Sequence, residues 1–451
     1  MTRTLLPACL AALFITGDGH AQETIELPRE DRPLVAELAE VYRIGSAGAV
    51  ADWEVLGTVP AAGFDEAGNL YLLDSPARVV VVDPGGNFFG QIGRPGEGPG
   101  EFRRPEQLDV LPGGRIVVTD MGHFGFQIFG ADGVFDRMVR VQGARSNFPE
   151  IGAFLRAGTF GARLSRDGAA IFSDGIRKIM RTDLSSDEAR IEAFVEAWAP
   201  PGTEEKIGSV AEVTSGVLWG FVPPLVFDAL PGGGIAFSDS SAFAIKITAP
   251  SGEVLRVLRR SIDPQPATDR ARQAEKDREL ARLGLSRDPA GRVPPDILAL
   301  AGVFRAAHAR AIEDMQFFPE VPVLYALRTT WEGNLWVQRR GEEPEVDRGP
   351  IDVLTPTGRY LGTIDQRMRM PDEFGPNGLV VFLEKDEFDV PVIVVKRLPP
   401  GFAESNVSFR RAPSSRSGIG LAAVMGHRFG LPRRRGKGYT PGGRLRCVCW
   451  A

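Results

Sequence analysis

The chain of 451 residues holds three cysteines, and none lies in its body: Cys9 is near the start, while Cys447 and Cys449 fall within the last five positions. Neither a disulfide framework nor a thiolate metal centre can therefore supply stability, which must come from packing and strand pairing. Histidine is scarce too. His20 lies in the leader, His123 in the body, His308 in an insertion and His427 in the tail, so a site of three imidazoles would have to recruit nearly all of them from remote segments. The G-x-S-x-G elbow of serine hydrolases and the H-E-x-x-H of zinc proteases are both absent. After the leader no run of ~18 uninterrupted apolar residues occurs, which excludes a membrane-spanning helix.

Glycine and proline are abundant. The 53 Gly and 35 Pro are spread along the chain without a collagen-like period, which points to many turns rather than to disorder. Residues 1–21, within "MTRTLLPACLAALFITGDGHAQ", read as a signal peptide: basic Arg3, an apolar run from Leu5 to Ile15, and small Gly19 and Ala21 around a cleavage point before Gln22. Pro7 and an apolar run lying mostly after Cys9 argue against lipidation of that cysteine. The mature protein is expected to be exported, periplasmic or extracellular, and monomeric, with no membrane span.

A short apolar strand follows a turn glycine six times, as in "GNLYLLD" from Gly68, "GRIVVTD" from Gly114, "GAAIFSD" from Gly168, "GGIAFSD" from Gly233, "GNLWVQR" from Gly333 and "GLVVFLE" from Gly378. Five copies lead into a second apolar strand such as "RVVVVD" or "VIVVKRL", and several continue through "DPGG", "ADG" or "PTG" to a third. One more strand candidate precedes each turn glycine, making four per unit. Units of ~40 to 50 residues with four strands and short turns are the mark of propeller blades, whose sheets bury both faces against their neighbours. The gap from Gly233 to Gly333 returns to that length once 263–318 is set aside as an insertion. Blade six lacks an outer strand, and "VYRIG" at Val41–Gly45 offers one from the opposite terminus. The expectation is an all-β, six-bladed β-propeller over 38–399, closed by an N-terminal strand and carrying a two-helix insertion.

The stretch "IGRPGEGPGEFRRPEQLDVLPGGRIVVTDMGHFGFQIFGADGVF" resembles the NHL repeat family: a glycine-rich turn, G-x-F, a proline, a strand, a turn glycine, an apolar strand ending in Asp, then another apolar strand. "FDEAGNLYLLDSPARVVVVDPGGNF" is similar, and the whole chain is similar to exported bacterial six-bladed propellers related to that family. The family's Arg after the strand-ending Asp is kept as Arg78, whereas the next unit has Gly125. The resemblance implies the fold and leaves function open, because propellers host many unrelated activities. In this frame the glycine-rich turn is an inter-blade connection anchored by Phe102. Its Arg94, Arg103 and Arg104 lack the G-x-x-x-x-G-K-S/T spacing of a nucleotide-binding loop.

Asp74, Asp120, Asp174 and Asp239 each lie six residues after their blade's turn glycine, with Glu384 equivalent in blade six and Arg339 in blade five. Equivalent positions converge on one face, so these carboxylates are the candidate ligands of a cation, Ca²⁺ by the hardness of its oxygen donors. The alternative is that each Asp caps its own turn through backbone N–H groups, which the positive charge of Arg339 favours. No cofactor is expected beyond that possible Ca²⁺.

The insertion reads as two helices: "PATDRARQAEKDRELARLG" with Thr268 as N-cap, and "PPDILALAGVFRAAHARAIEDM" with Ile297, Ala301, Phe304, His308 and Ile312 on one face. From Pro400 onward ten Lys or Arg meet one acid, Glu404, whereas residues 1–399 hold 43 basic and 57 acidic residues, a net of −14. The 400–451 tail is thus expected to be basic and disordered, with no nucleic-acid partner in an exported protein. The whole reads as an exported binding or scaffold module facing a small-molecule or protein partner, more than as an enzyme, with the enzyme question left open. The alternative is a metal-dependent hydrolase or lyase with its site at the propeller mouth, similar to the lactone-hydrolysing six-bladed propellers.

Overall fold

The computed structural model describes residues 22–49, 51–74, 77–141, 163–164, 168–173, 177–198, 218–285, 306–341 and 348–402. The leader, Asp174, Ile297, Ala301, Phe304 and the tail beyond Phe402 lie outside the described residues. Six sheets, each with four antiparallel strands, form a ring, a six-bladed β-propeller; the sheets of blades 2 and 4 each gain a short fifth strand in parallel. Blade 1 shows the plan, with strands Ala61–Phe64, Leu70–Asp74, Arg78–Val82 and Phe88–Ile92 running from the axis outward. All six turn glycines, 68, 114, 168, 233, 333 and 378, adopt positive φ between 73° and 92°, the region where a Cβ is penalised. That constraint is why glycine recurs at the same offset in every unit.

Alternation along the middle strands explains how the ring coheres. Leu70, Leu72, Val80 and Val82 point to the core shared with blade 6, and Tyr71, Leu73, Val79 and Val81 to the core shared with blade 2. Each remaining blade junction holds one further apolar cluster, so six cores stand between six blades. Phe102, 1% exposed, seals the junction of blades 1 and 2 edge-on to Phe129, with ring centroids 5.6 Å apart. Gly93 faces it, and a Cβ there would come within 2.2 Å of the Phe102 ring.

The ring closes as the spare N-terminal strand suggested. Ala39–Ile44 pairs antiparallel with Pro391–Arg397 and becomes the outer strand of blade 6, beside Leu379–Lys385 and Glu373–Phe374. Upstream residues, to which the sequence assigned no element, also bind edges. Glu23–Leu27 adds a fifth strand, parallel to the outer strand Val254–Arg260 of blade 4. Thr363 of blade 5 then exchanges backbone bonds with Arg32 and Leu34, each at 2.8 Å. Residues 23–44 thus belt the rims of blades 4, 5 and 6. Gly362 permits that close approach, since a Cβ there would lie 2.9 Å from the Arg32 carbonyl oxygen and from Leu34 Cβ.

The insertion begins with helix Asp269–Leu285, capped by Thr268, whose Oγ1 accepts the N–H of Ala271 at 3.3 Å. Residues 306–313 are also helical, with Ile312 fully buried and His308 half-buried at the boundary. An aromatic root joins this unit to the start of blade 4: Phe221 packs on Phe317 at 5.3 Å and Trp219 on Phe318 at 5.6 Å. No helix among the described residues is long and apolar enough to cross a membrane.

The fold reaches slightly beyond the expected 399 boundary. Pro400–Phe402 forms a 3-10 turn, and Phe402, 7% exposed, packs against Trp336 at 6.0 Å in the core between blades 5 and 6. A chain ending at Asn406 is expected to melt like the full chain, whereas one ending at Pro399 loses about 3 kcal/mol, the cost of emptying a buried phenylalanine site. Urea unfolding of the two truncations measures the difference, and equal midpoints would show that Phe402 is dispensable.

Candidate functional site

The strand-ending carboxylates are engaged by their own hairpins and by the segments that connect blades. Asp74 accepts the Gly57 N–H at 2.8 Å and the Arg78 Nε–H at 2.8 Å, while Arg78 also donates to the Val55 carbonyl at 2.8 Å. Asp120, fully buried, accepts the backbone N–H of Arg103 (3.0 Å), Arg104 (2.9 Å) and Gly122 (3.0 Å). His123 Nδ1 at 2.7 Å and the Gln127 amide at 3.0 Å complete its surroundings; Gly125 occupies the position of Arg78, and Gln127, two residues further on, supplies the side-chain donor. Asp239 accepts the Trp198 N–H and the Lys246 ammonium, both at 2.7 Å. In each case the carboxylate staples its hairpin to the segment that connects blades. Burial pushes Asp120 up, but the N–H groups of Arg103 and Arg104 and the His123 ring outweigh it and hold the carboxyl below the usual range.

Glu384 sits half-buried within Leu379–Lys385, and the hairpin-ending acceptor of blade 6 is instead Asp386, bonded by the N–H groups of Ala47, Phe388 and Val390. Blade 5 inverts the charges. Arg339 pairs with Asp31 of the belt at 2.6 Å and with Asp352 of its own third strand at 3.4 Å. Asp352 is fully buried against the equally buried Arg260 of blade 4 at 2.8 Å and accepts Thr363 Oγ1 at 2.6 Å. Arg260 also reaches Asp31 at 2.7 Å and the Pro28 carbonyl at 2.8 Å, tying belt and two blades to one guanidinium. Among the described residues no three His, Cys, Asp or Glu side chains come together in an arrangement that could hold a metal ion.

The charged groups with room beside them lie elsewhere, on the axis. The innermost strands, including Pro105–Val110, Arg163–Leu164, Val226–Ala229 and Leu324–Thr329, enclose a channel with a cavity of about 460 Å³ and a second of about 120 Å³. Asp74, Asp120, Asp239 and Glu384 line neither. The larger cavity is faced by Arg163, Arg328, Arg348 and Arg369, with Gln107 and Gln338 between them and Asp372 and Glu373 as the acids. Arg369 is drawn to one side by an ion pair with Asp372 and a bond to the Leu383 carbonyl at 3.1 Å.

Arg163 lines both cavities. Its Nε lies 3.6 Å from Asp228 Oδ1 and its terminal nitrogen 3.4 Å from Glu373 Oε2. Asp109 faces the smaller cavity as a third carboxylate. Burial pushes Asp228 up to about 6; Arg163 pulls it down and Glu373 adds to the rise. Burial likewise raises Glu373, against the pull of Arg163. The sequence offered no mark for this cluster, because Arg163–Leu164 and Glu373–Phe374 are two-residue strands without periodicity.

No protein-family model matches the chain, and no curated protein does either. Similar solved structures include a protein of Bacteroides fragilis NCTC 9343 provisionally named as exported, 13% identical, covering 84% of this chain and 100% of that one, with a TM-score of 0.41. A member of the duf4221 family from Bacteroides vulgatus ATCC 8482 is 9% identical over 82% and 99% of the two chains, with a TM-score of 0.47. Virginiamycin B lyase from Staphylococcus aureus is 14% identical over 75% and 80%, with a TM-score of 0.35. These likenesses are of architecture, and the residues above carry the functional argument.

Two substitutions separate rim from axis. Asp120→Ala strands several buried donors and is expected to cost about 2–4 kcal/mol at pH 7, with Asp120→Asn milder because it keeps one acceptor. Its carboxyl titrates lower folded than unfolded, so that contribution is present above pH ~4 and fades as pH falls further. Asp228 has the opposite sign. Folding raises its pKa, so its ionisation opposes folding above pH ~6, and the penalty lifts as pH drops toward 4. The stability of the parent relative to Asp228→Asn should therefore rise by about 1–3 kcal/mol between pH 7.5 and 4.5. Urea melts of both variants across that range test each sign, and a pH-independent difference for Asp228→Asn would contradict the burial argument.

Proposed function

We propose that the protein is an exported binding module that takes a small anionic ligand into its central channel. The observation that carries this reading is the charge reversal at the axis. Four arginines and two acids face the larger cavity, whereas residues 1–399 hold 43 basic and 57 acidic residues. A positive pocket within low-dielectric walls concentrates field lines and raises the local concentration of anions, more so when the surrounding surface is acidic. Guanidinium groups suit oxyanions because their planar forks donate paired hydrogen bonds to carboxylates. A cavity of about 460 Å³ matches a small organic molecule rather than a protein segment. Export rests on the N-terminal leader.

Tartrate and sulfate are suitable probes, because both stay ionised across the useful pH range. Thermal melts at low salt should rise with tartrate well beyond the rise given by sodium chloride of equal ionic strength. Saturation at 100 Kd contributes about 2.7 kcal/mol. Arg328→Gln should remove most of that rise while leaving the melt without ligand within about 0.5 kcal/mol of the parent, as for a half-exposed substitution. Shifts no larger than those from sodium chloride, for tartrate and sulfate alike, would sink the reading.

A further inference from the structure

Arg163 differs from the other channel arginines. Among the described residues it is the arginine that faces both cavities, and its contacts with Asp228 and Glu373 are long, 3.6 and 3.4 Å, where a well-made guanidinium–carboxylate pair closes to ~2.7–2.9 Å. The two carboxylates cannot follow it. The Asp228 oxygens are bonded to the backbone N–H groups of Ala229 (2.9 Å) and Thr329 (2.7 Å), and Glu373 Oε1 accepts the Phe374 N–H at 3.2 Å. Arg163 is therefore held by charge without being locked by geometry, whereas its partners are fixed to the inner strands.

We propose that the channel's ligand carries a carboxylate, that this group takes Arg163 from Asp228 and Glu373, and that a proton enters with it to rest on those two side chains. The inference rests on the reading of the channel as an anion site. Charge accounting supports it. With Arg163 between them, Asp228 and Glu373 form a trio with one negative charge in excess, and Asp109 from blade 2 faces the same smaller cavity. An entering carboxylate makes the excess larger. Arg328 and Arg348 of blade 5 and Arg369 of blade 6 face the larger cavity, Arg369 already offset by Asp372, and the innermost strand of blade 1, Ala61–Phe64, brings no titratable group. Once Arg163 turns to the ligand, Asp228 and Glu373 lose the cation they share, and uptake of one proton by the pair restores balance between them. Both groups are prepared for it, since burial has raised each of them and Asp228 stands at about 6. Arg163 becomes the residue that selects the ligand, and acid strengthens its hold.

Titration calorimetry of tartrate and of sulfate into the full chain tests this, at pH 7.5 and 5.5 and in two buffers of different ionisation enthalpy. The expected result is a tartrate Kd about tenfold lower at pH 5.5 than at 7.5, equivalent to one pKa unit of linkage, with net proton uptake at pH 7. Asp228→Asn and Glu373→Gln should each flatten the pH dependence and tighten binding at pH 7.5. Arg163→Gln should abolish binding, and Arg163→Lys, which keeps the charge beside the two carboxylates, should weaken tartrate strongly while retaining the melt. Equal affinity at both pH values with no buffer dependence overturns the proton linkage and leaves the anion site standing. Sulfate binding without tartrate binding overturns the carboxylate assignment. Failure of both anions at either pH removes the anion site and this inference together.

Discussion

A ring of sheets cannot be left open, and the pairing of Ala39–Ile44 with Pro391–Arg397 is what closes this one. Because alternation sends both faces of every middle strand into apolar cores, no blade has a solvent face to fall back on. The core at the junction of blades 6 and 1 joins Ile44, Phe64 and Leu72 to Val381, Ile393 and Val395, residues from the two ends of the propeller. Without the closing strand that core would open, and blade 6 would present an unpaired edge to any passing chain. The closing strand is thus a condition for the other five junctions to persist, not an accessory to them.

The same residue types do different work at the rim and on the axis, and the difference is in their partners. Asp120 is surrounded by five donors within 3.0 Å, all supplied by its own blade and the loop that reaches it. It is fully satisfied, and so rigid. Asp228 has two backbone donors and a guanidinium at 3.6 Å, a surplus of charge over hydrogen bonding that burial makes expensive. Satisfied carboxylates hold a fold together. Under-satisfied ones, placed where a ligand can arrive, are free to change state.

What the sequence made legible had local causes. Turn glycines recur because a backbone angle demands them, and middle strands show as apolar runs because both of their faces are buried. The spare "VYRIG" could be matched to a blade that lacked an outer strand. Glu23–Leu27, "ETIEL", left no such mark: it puts Glu23 on the same face as Ile25 and Leu27, lacks a turn glycine, and pairs in parallel with a strand more than 200 positions later. The recurring Asp was visible, and its connection to the neighbouring loop was not, because the donors are backbone groups. The central cluster was the least visible of all. Arg163 and Glu373 are 210 positions apart, and each sits on a strand too short to show a period.

The belt of residues 23–44 has a consequence for the order of events. Its partners are made late: Arg32 binds Tyr360, 328 positions downstream, and Ala47 binds Asp386, 339 downstream. A chain synthesised from its N-terminus must carry Ala39–Ile44 unpaired while six blades emerge, whereas Glu23–Leu27 finds its partner once blade 4 is made. Contacts so distant along the chain make assembly slow, and they leave the last edge exposed throughout the wait. The polar, charge-rich character of the belt, with Glu23, Glu26, Glu30, Asp31 and Arg32, suits a segment that must remain soluble until the blades it binds have appeared.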